Sequence, residues 1–366
     1  MNKVLTSRLL RAAAARDPVA ILQLMPGPEP LRKLAHAAGR KGVSREIITD
    51  LERAVDEFDA LIRSEAGDRS GFDAILAAWL PEARAEFELR RKQAAFRALS
   101  QLHGHAAETY LSSAFIHPSA DGKHIDIVWV IALLGLQRLR PGGRIKFATR
   151  RVPSLAQNPE GEPPRRPQTL EGVPVDGFDG LRLDEFSSDP PVELEVHRVG
   201  DVVHYTLADN GFGPRSATDL VFAEVNRDEL PRYVPAEEAI GRKRHVFVEV
   251  NAPSKVLLFD VLVHEDVVTN DPTLYIYDTA FEGIANVNDR TRDIDRLDLV
   301  ESIQPLGTGI SKFRAAEVPW YTELLETICN KLGWNPMQFR GHRCRIDYPI
   351  YGSQIVIAFD APIRRA

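Results

Sequence analysis

The chain has 366 residues, of which 44% are hydrophobic and 27% charged, and its formal net charge is −6. This composition indicates a folded protein rather than a disordered one, and the length is sufficient for two domains that each bury a core. The negative charge excludes a protein that coats nucleic acid or anionic lipid through its overall charge, although it allows a local basic site.

Neither a membrane span nor an export signal is indicated. The longest apolar run, residues 125–136, contains Asp126 and covers about half of a bilayer-crossing helix. The first residues carry arginines that interrupt any apolar run, unlike a signal peptide. Only two cysteines occur, Cys329 and Cys344, which are too few for a disulfide framework and form no zinc pattern. We therefore expect a cytoplasmic protein with reduced cysteines, without membrane contact.

Residues 5–102 have a helical pattern. Asp17 followed by Pro18 is typical of a helix start, and Ser44 is placed to cap a long helix with apolar residues at spacings of three and four. Pro81 opens another helix that extends to about Leu102. For the apolar run at 125–136, periodicity does not separate a buried helix from a central strand, and we favour a helix because of its length. Residues 144–152 are predicted as a strand.

Six prolines in residues 153–175 predict a linker, because proline sustains neither a helix nor a sheet ladder. Beyond it the apolar period changes to two. We predict hairpins from residues 192–196 with 203–207, 246–250 with 256–263, and 343–348 with 354–359. A short strand is predicted at 274–277, and an amphipathic helix that opens at Pro319 and ends at Gly333. The fold class is therefore α+β: an all-helical domain (1–152), the linker (153–175) and a mainly antiparallel β domain (176–366).

Residues 38–51 have the spacing of a helix-turn-helix. Such a motif needs a small residue where its helices cross, a glycine four residues later, and apolar residues at fixed positions beyond it. Ala38 and Gly42 meet the first two needs, and Val43, Ile48 and Leu51 the third. In these residues the chain resembles the phage-repressor-type helix-turn-helix of bacterial transcription regulators, over residues 28–60.

The resemblance implies that the helix after Ser44 enters the DNA major groove. Acidic Glu46 and Asp50 stand beside the basic residues of that helix. The candidate DNA-binding residues are those whose side chains can donate to phosphates or base edges, namely Arg40, Lys41, Ser44, Arg45, Thr49 and Arg53.

Four other features have weaker functional interpretations. The histidines between 103 and 124 could begin a metal site, but contacts at a helix end are the favoured interpretation. The acidic residues between 278 and 298 alternate with arginines, as in a salt-bridged loop. Residues 211–216 lack the lysine of a phosphate loop, and the C-terminal aromatic residues fit a core better than a ligand pocket. No motif predicts a catalytic residue, a metal or a cofactor.

The function predicted from the sequence is a DNA-binding transcription regulator whose C-terminal domain dimerises or binds an effector, so we expect DNA as a partner and a homo-oligomer. One alternative is an enzyme with a site near residues 264–266, where a histidine precedes two carboxylates. Another is a non-enzymatic interaction protein, related to phage or part of a larger assembly.

Overall fold

The computed structural model describes residues 3–151, 166–175, 177–267 and 270–363. Its contacts divide the chain into two compact units, Met1–Arg91 and Lys92–Ala366. Helices precede a strand-rich region, which confirms the α+β class. No helix in the described ranges is long and apolar enough to cross a membrane.

The first unit is helical. Its helices are α1 (Lys3–Ala14), α2 (Pro18–Leu24), α3 (Pro28–Arg40), α4 (Arg45–Ala66), α5 (Arg69–Ala77) and the first part of α6 (Pro81–His103). The predicted start of α2 is confirmed: the Asp17 side chain accepts a hydrogen bond from the Ala20 N–H at 2.9 Å. A small core around Ile62, Phe72 and Leu76 holds α4 and α5 together.

The second unit contains the strands and two further helices. The strands are β1 (His105–Pro118), β2 (His124–Arg138), β3 (Ile145–Arg151), β4 (Leu194–Val199), β5 (Val202–Leu207), β6 (Thr218–Pro231), β7 (Lys243–Glu249), β8 (Ser254–His264), β9 (Thr273–Asp278), β10 (Gln304–Thr308), β11 (Phe339–Asp347) and β12 (Ser353–Asp360). The helices are α7 (Ala236–Ala239) and α8 (Tyr321–Leu332).

The strands form three layers together with α8. The central sheet has six strands in the order β10-β11-β8-β1-β2-β6, with β1 and β8 parallel and the other neighbours antiparallel. Helix α8 packs on one face of this sheet through Leu324, Leu325 and Ile328. The three-stranded sheets β7-β12-β9 and β3-β5-β4 contribute to the core on the other face. The central strands are thus buried on both sides.

The helix predicted at residues 125–136 is wrong, because these residues belong to strand β2. Leu133 belongs to the core on one face of the sheet, and Leu134 to the core on the other face. A strand that is covered on both faces has a continuous apolar sequence instead of an alternating one, and so lacks the signal that distinguishes it from a buried helix.

The contacts divide the chain between Arg91 and Lys92, whereas the sequence predicted the domain boundary at 153–175. Strands β1 and β2 precede the proline-rich segment, yet they pair with β8 and β6, which follow it. The strand-rich unit therefore begins at Lys92. Residues 153–165 of the predicted linker lie outside the described residues. In the described remainder, Gln168 forms a bridge to Val225 of β6.

Two of the three predicted hairpins are wrong. Strands β4 and β5 do pair, as predicted, with Leu194 opposite Leu207. In contrast, β7 and β8 lie in different sheets, and so do β11 and β12. Apolar residues of both β7 and β8 enter the same core, so these successive strands lie in facing layers. A short connection is compatible with either arrangement, and alternation alone does not distinguish them. The predicted β3, β9 and α8 are confirmed.

Candidate nucleic-acid interface

The connection between α3 and α4 is a tight turn. Helix α3 ends with the N–H groups of Lys41 and Val43 both donating to the Ala38 carbonyl, at 3.0 and 3.3 Å. Gly42 has a φ of +89°, which only glycine adopts without strain. The Ser44 hydroxyl then accepts from the Ile47 N–H at 3.5 Å, a weak cap on α4. The local chemistry that the sequence predicted at Gly42 and Ser44 is therefore present.

All six predicted DNA-binding residues are exposed around this turn. Arg40 ends α3, Lys41 follows it, Ser44 precedes α4, and Arg45 is its first residue. Thr49 lies one turn further along α4, where its hydroxyl donates to the Arg45 carbonyl at 3.0 Å. The turn thus brings Arg40, Lys41, Ser44 and Arg45 to one end of the helical hairpin. Thr49 follows one helical turn after Arg45, and Arg53 lies a further turn along α4.

The positive charge at this end is only partly neutralised. Among the described residues, the side chains of Arg40, Lys41 and Arg45 form no ion pair. Arg53 differs, since it contacts Asp50 at 2.9 Å. Residues 1–45 contain nine Lys and Arg against two Asp and Glu, whereas residues 46–91 contain six against twelve. The positive charge of the helical unit is thus concentrated in the part of the chain that leads up to α4.

The two helices of the turn lie side by side over much of their length. Arg32, in the first half of α3, contacts Asp56 and Asp59 of α4, each at 2.9 Å. The Arg32 guanidinium lowers the pKa of the Asp59 carboxyl. An arginine reaches that far along the next helix only if the helices run antiparallel, whereas a helix-turn-helix crosses at about 90–120°. In this respect α3 and α4 form an antiparallel helical hairpin.

Two apolar side chains near the turn are left in solvent. Val43 is 40% exposed and Ile47 is 59% exposed. Val43 is one of the apolar residues that the spacing of a helix-turn-helix requires. The buried residues of α4 are instead Val55 and Ile62, further along the helix. The end of α4 nearest the turn therefore exposes cationic and apolar groups together to solvent.

The histidines do not gather into one site. His117 stacks on Trp334 with ring centroids 4.3 Å apart, and it also meets the ring of His264 at 4.5 Å. Burial lowers the pKa of His117, which favours its neutral form. His264 is 4% exposed, and its Nδ1 accepts from the Asp266 N–H at 3.1 Å. The pair is therefore packed into the protein, and the histidine and carboxylate predicted at 264–266 meet mainly through the backbone.

Among the described residues, one group of side chains lies close enough together to hold a metal ion. The possible ligand atoms of Asp121, His124 and Asp228 lie within 4.8 Å of one another. Asp121 already accepts from the backbone N–H groups of Lys123 and His124, at 2.8 and 3.0 Å. The His124 ring lies 2.5 Å from the other carboxylate oxygen, and this hydrogen bond lowers the pKa of Asp121 to about 2. These contacts are those of a polar turn.

The remaining clusters are structural. In the acidic segment, Arg292 contacts Asp295 at 2.6 Å, and Arg296 contacts Asp293 at 2.6 Å. Among the C-terminal aromatic residues, Tyr321 at the start of α8 and Phe339 at the start of β11 are fully buried. A basic stretch that the sequence argument passed over does line a cavity, however. It consists of residues 242–245, and its signal was four successive basic side chains at the start of a strand.

No protein family matches this chain, and no curated protein matches it either.

Proposed function

We propose that this chain is a cytoplasmic DNA-binding transcription regulator that contacts DNA through the turn between α3 and α4. The observation that carries the proposal is the group of three exposed cations, Arg40, Lys41 and Arg45, around the first turn of α4. That turn also presents backbone N–H groups, which together with the helix dipole favour phosphate. The strand-rich unit would bind an effector or associate with a second copy.

The antiparallel packing of α3 and α4 favours contact with the DNA backbone over deep insertion of α4. Phosphate contacts fix a protein's position and depend strongly on salt, whereas base contacts determine sequence preference. Arg45 and Thr49 are the residues closest to a possible base contact, since they share the first turns of the helix. Glu46 and Asp50 repel phosphates and restrict the contact to the turn itself.

The test is a salt titration of DNA binding by the full chain, measured by fluorescence anisotropy with duplex DNA. One variant replaces Arg40, Lys41 and Arg45 with glutamine. Each phosphate contact contributes about 0.9 to the slope of log K against log salt, so the slope should flatten by about 2.7. The matched control replaces three cations that already have carboxylate partners, namely Lys33, Arg63 and Arg90.

For the control, the slope of log K against log salt should be nearly that of the wild type. The proposal fails if the wild type has no salt-dependent affinity for DNA, or if the control loses as much as the variant. Sequencing of the bound fragments then asks whether Arg45→Ala also changes sequence preference, which a pure phosphate contact would not do.

A second candidate is a protein-interaction role for the same surface. It rests on Val43 and Ile47, because exposed apolar groups rimmed by charge are typical of such sites. This role would be favoured if the chain binds a protein partner and Arg45→Ala binds that partner with the affinity of the wild type.

A further inference from the structure

A cavity of about 430 Å³ lies where strand β7 begins. Four consecutive residues at the start of β7, Arg242 to His245, are part of its lining. Tyr233, Val234 and other apolar residues also line it. The volume lies within the usual range of small-molecule sites. The lining combines apolar side chains with polar and charged ones, among which Glu238 is a carboxylate.

The cations of the cavity differ in how they are neutralised. Arg242 contacts Glu238 at 3.1 Å, and Lys243 contacts Asp360 at 2.6 Å. Arg244 forms no ion pair with any carboxylate of the described residues. Its guanidinium donates instead to two backbone carbonyls, those of Arg232 at 3.2 Å and of Pro231. Arg244 is therefore the cation of this cavity that has no counter-ion in the described chain.

The missing counter-ion has an electrostatic cost. Burial, together with the charge of Arg242, lowers the pKa of Arg244 to about 10. A guanidinium in such surroundings stays protonated at neutral pH, so the protein holds a half-buried positive charge without a carboxylate partner among the described residues. Carbonyl oxygens satisfy some of its N–H groups but do not neutralise it. An oxyanion in the cavity would do both.

The backbone of β7 offers a second hydrogen-bond donor. Strand β7 is an edge strand, and the Asn288 side chain occupies its open edge at Lys243, where it accepts from the N–H at 2.6 Å and donates to the carbonyl at 2.9 Å. Because hydrogen-bonding directions alternate along a strand, the N–H of His245 faces the same open edge. Asn288 covers the edge at Lys243 only, and His245 is itself part of the cavity lining.

We propose that this cavity binds a small organic anion, a carboxylate or phosphate monoester on a compact apolar body. Arg244 is the anchoring cation, the β7 edge supplies a further hydrogen-bond donor, and Tyr233 and Val234 contact the apolar body. The site lies wholly within the strand-rich unit and does not depend on DNA binding, so either proposal can fail while the other stands.

The test measures the melting temperature of the full chain against the concentration of phenyl phosphate, benzoate and benzyl alcohol at constant ionic strength. At least one of the two anions should raise the melting temperature saturably, whereas the neutral alcohol should leave it unchanged. Arg244→Gln should weaken the anion's affinity about 10- to 100-fold, the loss expected for a charge-assisted hydrogen bond. Arg290→Gln is the matched control, because it removes one positive charge at a side chain that is 94% exposed.

A second measurement uses the wild-type chain, in case Arg244→Gln fails to fold. Phenylglyoxal modifies arginine side chains, and mass spectrometry reports the extent at each one. The bound anion should slow modification of Arg244 and leave that of Arg290 unchanged. The proposal is overturned if neither anion acts saturably, if benzyl alcohol acts as well as the anions, or if Arg244 is not protected.

Discussion

A buried ion pair beneath α8 gives the sharpest prediction about stability. Asp260 of β8 is fully buried, and Arg343 of β11 holds both of its oxygens, with Nε at 2.9 Å and Nη2 at 2.7 Å. The Tyr321 hydroxyl donates to the same carboxylate at 2.9 Å and meets the Ser113 hydroxyl at 2.8 Å. The carboxylate thus receives three hydrogen bonds, two of them from a charged partner.

Replacing Asp260 with alanine should lower the free energy of unfolding by about 3–5 kcal/mol. The reason is that the Arg343 guanidinium stays buried with only the carbonyls of Phe313 and Arg314 as partners. Tyr321→Phe removes one hydrogen bond to a charged group and should cost about 1.5–3 kcal/mol. Urea denaturation of each full-length variant, followed by fluorescence, measures both losses.

The double variant Asp260→Leu with Arg343→Met separates ion pairing from packing. Replacing both partners with apolar groups removes the unpaired charge, so most of the stability lost in Asp260→Ala should return. If Asp260→Ala costs less than about 1 kcal/mol, or if the double variant is less stable than the single one, the reasoning about an uncompensated buried charge is refuted.

Other predictions concern caps, backbone strain, protonation and thiols. Asp17→Ala should destabilise the helical unit by about 1 kcal/mol, and Asp17→Asn should restore most of this loss, as chemical denaturation will show. Gly42→Ala should cost about 1–2 kcal/mol from its positive φ alone, because no atom lies near the added methyl group. Cys329 and Cys344 are free and buried, so a reductant should leave the melting temperature unchanged, and a sharp drop would contradict this. Burial also lowers the pKa of several histidines, so that the unfolded chain binds protons more readily than the folded one as the pH falls from about 7. The histidines concerned are His105, His117, His245 and His342. Stability should therefore decrease on acidification through that range, and a melting temperature that rises there would contradict their contribution.

The helical unit was predictable from sequence because its signals are local. The aspartate cap before Pro18, the glycine at 42 and the amphipathic period of α4 each depend on neighbours within a few residues. The strand-rich unit was less predictable, because its pairing is set by residues far apart in the chain. Strand β1, for example, lies parallel to β8, about 150 residues later.

The two candidate sites differ in the same way. The exposure of Arg40, Lys41 and Arg45 followed from the turn chemistry around Gly42, which the sequence shows directly. The cavity at Arg244 depends on where residues 230–235 and 286–288 meet the start of β7, and no local pattern contains that information. The antiparallel packing of α3 and α4 likewise depends on contacts between residues far apart in the chain, those of Arg32 with Asp56 and Asp59.

Hydrogen exchange of the full chain with and without duplex DNA tests most directly whether the turn between α3 and α4 contacts DNA. At low salt, DNA should slow amide exchange in the peptides that cover the turn and the first turn of α4, because backbone N–H groups there approach phosphates. The protection should disappear as salt rises, since phosphate contacts weaken with ionic strength. DNA that binds the chain while these peptides exchange at their free rate would contradict the proposed interface.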